Sequence, residues 1–101
     1  MNVVRLSARI VELSAPRYTP AGLPALDIRL EHESVQQEAD QLRQVKVVLK
    51  AVAIGATAER LGKQTVGSCW CFTGFLSSPR HLKSVLLHIQ DFQQNQFQGA
   101  L

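Results

Sequence analysis

Several residue types are scarce in this chain of 101 residues, and each scarcity closes off a class of chemistry. There are two cysteines, one tryptophan, one tyrosine and one methionine. Cys69 and Cys71 stand one residue apart in a segment that reads as a strand, so both thiols face the same way at a spacing poorly suited to a disulfide. A metal site would need further ligands, and His32, His81 and His88 show none of the paired spacings of zinc motifs. Neither a metal nor a cofactor is expected. No apolar run reaches the ~18 residues needed to span a bilayer. The opening MNVVRLSARI lacks the longer apolar core and small-residue cleavage site of a secretion signal, so a cytoplasmic location is expected. The sequence also lacks a G-x-x-x-x-G-K-[ST] loop, a G-x-S-x-G elbow and carboxylates paired across an evident cleft. No enzymatic activity is expected.

What is present is an ordinary globular balance, with 46% hydrophobic and 19% charged residues. The length fits one domain over residues 1–101. A domain of this size leaves about a third of its unfolded-chain surface exposed, which makes self-association a live option. The net charge of +3 is unevenly spread. Residues 1–42 carry an acidic excess of two, whereas residues 43–83 set Arg43, Lys46, Lys50, Arg60, Lys63, Arg80 and Lys83 against Glu59 alone. One part of the surface should therefore be electropositive, either as a solvated face or as a site for a polyanion.

Hydrophobic alternation predicts five strands. Residues 3–13 alternate through Val4, Leu6, Ala8 and Ile10, then change phase at Val11 and Leu13, as a strand with a bulge would. Residues 15–24 (APRYTPAGLP) hold three prolines and a glycine and predict an ordered loop. Residues 25–33 form a half-buried second strand, with Leu26, Ile28, Leu30 and His32 opposite Asp27, Arg29, Glu31 and Glu33. Here Arg29 reads as paired with its strand neighbours Asp27 and Glu31. Residues 34–41 are polar and read as a solvated loop or frayed hairpin tip. Residues 43–52 make a third strand with a basic outer face. The alanine-containing stretch 53–63, bracketed by Gly55 and Gly62, suggests a short helix. A fourth strand follows in CWCFTGFL, where Gly74 would let the strand coil or bulge, and a fifth over residues 84–92. The Gln-rich residues 93–101 are expected to be flexible. This all-β order, three strands, a short helix and two more strands, is that of a five-stranded oligonucleotide-binding (OB) barrel, although an SH3-like barrel or a five-stranded sheet with one helix would give the same string.

Particular segments narrow the choice. RYTPAGLPALDIRLEHESVQQEA, VGSCWCFTGFL and the Leu87-His88 pair resemble the first loop and second strand, the fourth strand and the fifth strand of the bacterial primosomal replication protein N (PriB) family, within the single-stranded DNA-binding (SSB) group. The resemblance implies a homodimer of OB barrels that binds single-stranded DNA without sequence readout and helps reload the replicative helicase during replication restart. The partners it implies are the PriA helicase, DnaT and SSB on its strand, in a cytoplasmic, nucleoid-associated setting.

On an OB barrel an oligonucleotide crosses strands two and three between the loops joining strands one to two and four to five. That placement selects Arg17 and Tyr18 in the first loop, Arg29 on strand two, Lys46 and Lys50 on strand three, and Arg80 and Lys83 in or beside the last loop. The resemblance favours Arg17, Arg80 and Lys83 first. It also marks two departures: Lys46 stands where relatives can carry an aromatic, and Glu33 where they can carry a base. Tyr18 and Phe75 read as the outward aromatics, with Phe75 at a subunit contact or on DNA. Trp70 and Phe72 read as core, and His32 and His88 as hydrogen-bonded structural residues. The thin aromatic and cationic set keeps a rival reading open, an OB module that stimulates or tethers a helicase with little DNA binding of its own.

Overall fold

A computed structural model describes residues 1–81 and 83–94. The described elements are β1 (Val4–Leu13), β2 (Arg17–Tyr18), β3 (Pro24–Glu38), β4 (Gln41–Ile54), α1 (Ala56–Gly62), β5 (Cys69–Ser77) and β6 (Leu86–Gln93). The five expected strands are β1, β3, β4, β5 and β6, and β2 is a two-residue addition on the flank of β3. The sheet runs β1-β5-β6-β4-β3-β2, and β1 also pairs with β3, which closes five strands into a ring. The result is the all-β OB architecture, with its short helix between β4 and β5. The expectation of flexibility for residues 93–101 falls beyond Gln94 on residues outside those described.

Closure depends on β1 serving two neighbours. Its first part pairs with β5 from Val4↔Gly74 to Arg9↔Cys69, and its last part with β3 from Arg9↔Glu31 to Leu13↔Ile28. A strand alternates faces, so Ile10 and Leu13 could not both point inward without an extra residue between them. The register shift between Ile10 and Glu12 supplies it, at the phase change in the sequence. The only parallel contact in the ring, between β4 and β6, spans Ala51↔Leu87 to Ala53↔Ile89, because β5 must first run back across the barrel.

The interior is apolar. Ile10, Leu30, Leu61, Phe72 and Leu87 are fully buried, and Leu26, Ile28, Ile89 and Phe92 are nearly so. Gly55, at φ 77, turns the chain out of β4, and α1 then seals the barrel with Ala58 and Leu61. Burying Leu61 alone contributes about 1.5–3 kcal/mol. Phe92 anchors this end: Trp70 meets it edge-on at 5.1 Å, Phe72 stacks at 6.2 Å, and the Arg60 guanidinium lies 4.6 Å over its ring. Trp70 and Phe72 thus belong to the core, as their strand parity indicated.

The stretch 34–41, expected as a solvated loop or frayed hairpin tip, is a hairpin tip, and it is regular rather than frayed. The β3–β4 ladder continues without interruption to Glu38↔Gln41 and turns through Ala39 and Asp40, both at positive φ (52° and 63°). Two consecutive left-handed residues define a type I′ turn, whose twist matches that of the strands it joins. The polar composition hid the regularity of this ribbon because it lies beyond the barrel, with water on both faces: Val35 and Gln36, which point to opposite faces, are both exposed. The arm helps give the molecule its elongated outline, 49 × 33 × 23 Å.

At the other end of the sheet, the β5–β6 register shifts between Thr73 and Gly74, and a Cβ on residue 74 would collide with the His88 carbonyl. Gly74→Ala should therefore destabilise the barrel by about 2–3 kcal/mol, the upper part of the overpacking range. In a thermal melt this corresponds to a fall of about 10–20 °C for a domain of this size, and an unchanged midpoint would refute the close approach. Alanine in the left-handed region is disfavoured, so Ala39→Gly should tighten the arm tip. Amide exchange of Glu38 and Gln41 is expected to slow by about two- to fivefold while the core amides stay unchanged.

Candidate nucleic-acid interface

The outer face of the β3–β4 ribbon is written by parity. On β3 the outward residues are Asp27, Arg29, Glu31 and Glu33, and opposite them on β4 stand Val52, Lys50, Val48 and Lys46. Arg29 and Lys50 are direct cross-strand partners, a like-charge arrangement that a sheet selected only for stability would avoid. Beside them runs an open groove of about 270 Å³ lined by Glu12, Ser14, Asp27, Ile28, Arg29, Lys50, Ala51 and Leu86. Ser14 begins the first loop and Leu86 is the first residue of β6, so the groove lies between the start of that loop and the start of β6.

Arg17 reaches the same place from the first loop. β2 pins it opposite Ala25, and the Pro-Ala-Gly turn beyond is closed by Gly22 N donating to the Thr19 carbonyl (2.8 Å) and Thr19 N donating to the Leu23 carbonyl (2.8 Å). The Arg17 guanidinium grips Asp27 with both ends of its fork, Nε to Oδ2 at 2.8 Å and Nη2 to Oδ1 at 3.0 Å. These hydrogen bonds hold the Asp27 carboxyl below its ordinary range and raise Arg17 further. Tyr18, next in the chain, is 73% exposed.

The other candidates are distributed along the ribbon and the last loop. Arg29 lies 3.9 Å from Glu12, and Lys46 lies further out on the arm, 3.4 Å from Glu33. Arg80 and Lys83 are exposed in the loop that ends at Leu86. Among the described residues Lys50, Arg80 and Lys83 form no ion pair. The structure thus brings Arg17, Arg29 and Lys50 together and sets Lys46 four ladder positions beyond Lys50, on the same face.

The expected pairing of Arg29 with Asp27 and Glu31 is corrected. Residues two apart on one strand face the same way but lie roughly 7 Å apart, whereas a cross-strand neighbour lies at about 5 Å. Each charge therefore bonds across: Asp27 to Arg17, Arg29 to Glu12, and Glu31 to Arg9 at 3.1 Å. Glu12 and Leu86, which complete the groove, were not singled out from sequence. The bulge in β1 was the available signal for Glu12, since it turns that residue outward beside Arg29.

The histidines hold structure. Ser34 Oγ lies 2.8 Å from His32 Nε2, and the opposite ring nitrogen donates to the Ser7 carbonyl at 2.6 Å, where β3 parts from β1. His88 is 2.8 Å from Ser77 Oγ and stacks on Phe75, with ring centroids 4.7 Å apart. Phe75 is consequently half-buried within its own chain rather than fully outward. Both cysteines are free, and no group of three or more potential metal ligands occurs among the described residues.

Comparison with known proteins agrees with this geometry. Residues 2–91 match a profile described as "another single-strand binding protein family". The chain is 44% identical over 91 residues to the replication restart protein PriB of Bordetella pertussis, covering 89% of this chain and 85% of that one. It is 38% identical over 94 residues to PriB of Neisseria gonorrhoeae, covering 92% and 93%. The solved structure of PriB from Ralstonia solanacearum superposes with a TM-score of 0.86 at 32% identity, over 94% of this chain and 98% of that one. The single-stranded DNA binding protein of Thermus aquaticus shares the fold, with a TM-score of 0.75 at 23% identity over 98% of this chain and 52% of that one. The chain belongs to the PriB family of single-strand binding proteins.

Proposed function

We propose that this chain is a single-stranded DNA-binding accessory protein of replication restart, acting without enzymatic chemistry. One observation carries the reading: the opposed cations Arg29 and Lys50 border an open groove between the first loop and the start of β6, on a barrel of a single-strand binding family. A single strand offers a phosphate row and unstacked bases. A cationic groove holds the first, and aromatic faces hold the second. Arg17, Arg29, Lys46, Lys50, Arg80 and Lys83 supply the charges, and the exposed Tyr18 ring supplies one stacking face. With few aromatics, attraction to phosphate dominates, and neither sequence readout nor a metal is required. The partners proposed alongside DNA are the PriA helicase, DnaT and SSB, and the working form proposed is a cytoplasmic homodimer. The relatives' description as replication restart proteins supports this set.

Fluorescence anisotropy with labelled oligo-dT is the test. If three or four phosphates are neutralised, affinity should fall about 20- to 50-fold between about 50 and 200 mM salt. An isotherm indifferent to salt would overturn the phosphate-led mechanism. Absence of binding at low salt would instead favour a module that only tethers or stimulates a helicase. Reversing charge with Lys50→Glu and Arg80→Glu together should weaken binding by roughly tenfold or more, as expected for losing two phosphate contacts. The same pair of changes outside the groove lining, at Arg5 and Lys63, should matter less.

A further inference from the structure

Half of the cations assigned to the DNA surface are already engaged by the protein itself. Arg17 is bonded to Asp27, Arg29 lies near Glu12, and Lys46 lies near Glu33. Glu12 and Asp27 are walls of the same groove that Arg29 and Lys50 border. A guanidinium whose fork is filled by a carboxylate offers an incoming phosphate little net attraction, and the carboxylate repels it.

We propose that Asp27 and Glu12 limit the affinity of the groove: each holds an arginine in reserve, so a phosphate must displace a protein carboxylate to gain Arg17 or Arg29. The inference rests on the strand-binding reading above. In this arrangement Lys50, which has no ion partner among the described residues, makes the first contact, and Arg17 and Arg29 follow by exchange.

The geometry favours exchange by side-chain motion alone. The Arg17 and Asp27 side chains are 52% and 47% exposed, so their pair opens into water without stranding a buried charge. The Arg17 backbone stays fixed by its pairing with Ala25, and Asp27 stays fixed in β3 opposite Val52. The guanidinium can therefore swing from carboxylate to phosphate while the loop keeps its place. Arg29 and Glu12 are held in the same way by strand pairing, and their 3.9 Å separation is looser still. A strand gripped by exchange is also easily surrendered, because each protein carboxylate competes to recover its arginine. Such a groove suits handing a strand onward better than storing it.

The test compares oligo-dT affinity and its salt slope for the wild-type chain, Asp27→Asn, Asp27→Glu and Glu59→Gln. The last makes the same charge change on the exposed surface of α1, away from the groove lining. Asp27→Asn should bind about three- to tenfold more tightly at low salt, because it removes one unit of repulsion beside a phosphate. Its log–log salt slope should steepen by up to about 0.7, since Arg17 then gains a phosphate without giving up a carboxylate. Asp27→Glu, which keeps the charge, should not reproduce the gain of Asp27→Asn, and Glu59→Gln should stay within about twofold of wild type, as expected for a remote charge. Arg17→Ala should cost about twofold or less in the wild-type background and about fivefold or more in Asp27→Asn, a coupling that a merely structural Asp27 would not produce. Thermal melts accompany each variant, and Glu12→Gln puts the same question to the second pair, so a folding defect at Asp27 leaves the matter decidable. If Asp27→Asn gains no more than Glu59→Gln, or Arg17→Ala costs the same in both backgrounds, the reserve mechanism is wrong while strand binding stands. If neither wild type nor Asp27→Asn binds, both readings fall.

Discussion

Everything in this barrel depends on β1 being shared. One strand gives its first half to β5 and its second half to β3, and the extra residue between Ile10 and Glu12 lets it bend between them while keeping Ile10 and Leu13 inward. Without that bend the sheet stays open and the core side chains lose their enclosure. The same pairing sets the outer surface. It brings Glu12 beside Arg29 and Arg9 beside Glu31, and it ends at Glu31, where β3 is released to run on with β4 alone.

The functional surface follows from that release. Because β3 and β4 keep strict register, outward charges meet in rows, and along β3 acidic Asp27, Glu31 and Glu33 flank the basic row of Arg29 and Lys50. A uniformly basic face would bind a polyanion tightly and repel itself when empty. Here the empty face is close to self-neutralised, with Lys50 left over and Arg80 and Lys83 in the adjoining loop. The net positive charge of the chain is therefore a poor guide to its local field, which is decided by which carboxylates the fold brings beside which cations.

Much of the architecture was legible in the sequence because buried strands announce themselves by alternation. The phase change at Val11, the glycine in CWCFTGFL and the alanines before Leu61 each marked a real feature: a bulge, a close backbone approach and the sealing helix. The arm was legible only as a loop or a frayed hairpin tip, since residues 34–41 face water on both sides and so carry no hydrophobic period. The candidate cations could be chosen from sequence once an OB order was in hand. Their partners could not, because Arg17 with Asp27 and Arg29 with Glu12 are joined by the fold rather than by neighbouring positions in the chain. His32 and His88 were recognisable as structural, although the acceptor of His32, the Ser7 carbonyl, depends on where β3 parts from β1.

The projecting ribbon has a consequence for colloidal behaviour. Past Glu31 the outer edge of β3 leaves its neighbour, and below Ala51 so does that of β4, which leaves main-chain donors and acceptors along both sides of the hairpin. Such edges invite edge-to-edge stacking between molecules, and the exposed Val35, Leu42 and Val48 would reward it. Glu33, Lys46, Glu38 and Arg43 sit along the same stretch and act as gatekeepers, since a second hairpin could add itself only by bringing those charges into contact. Charges placed there oppose such stacking by the same side chains that line the arm.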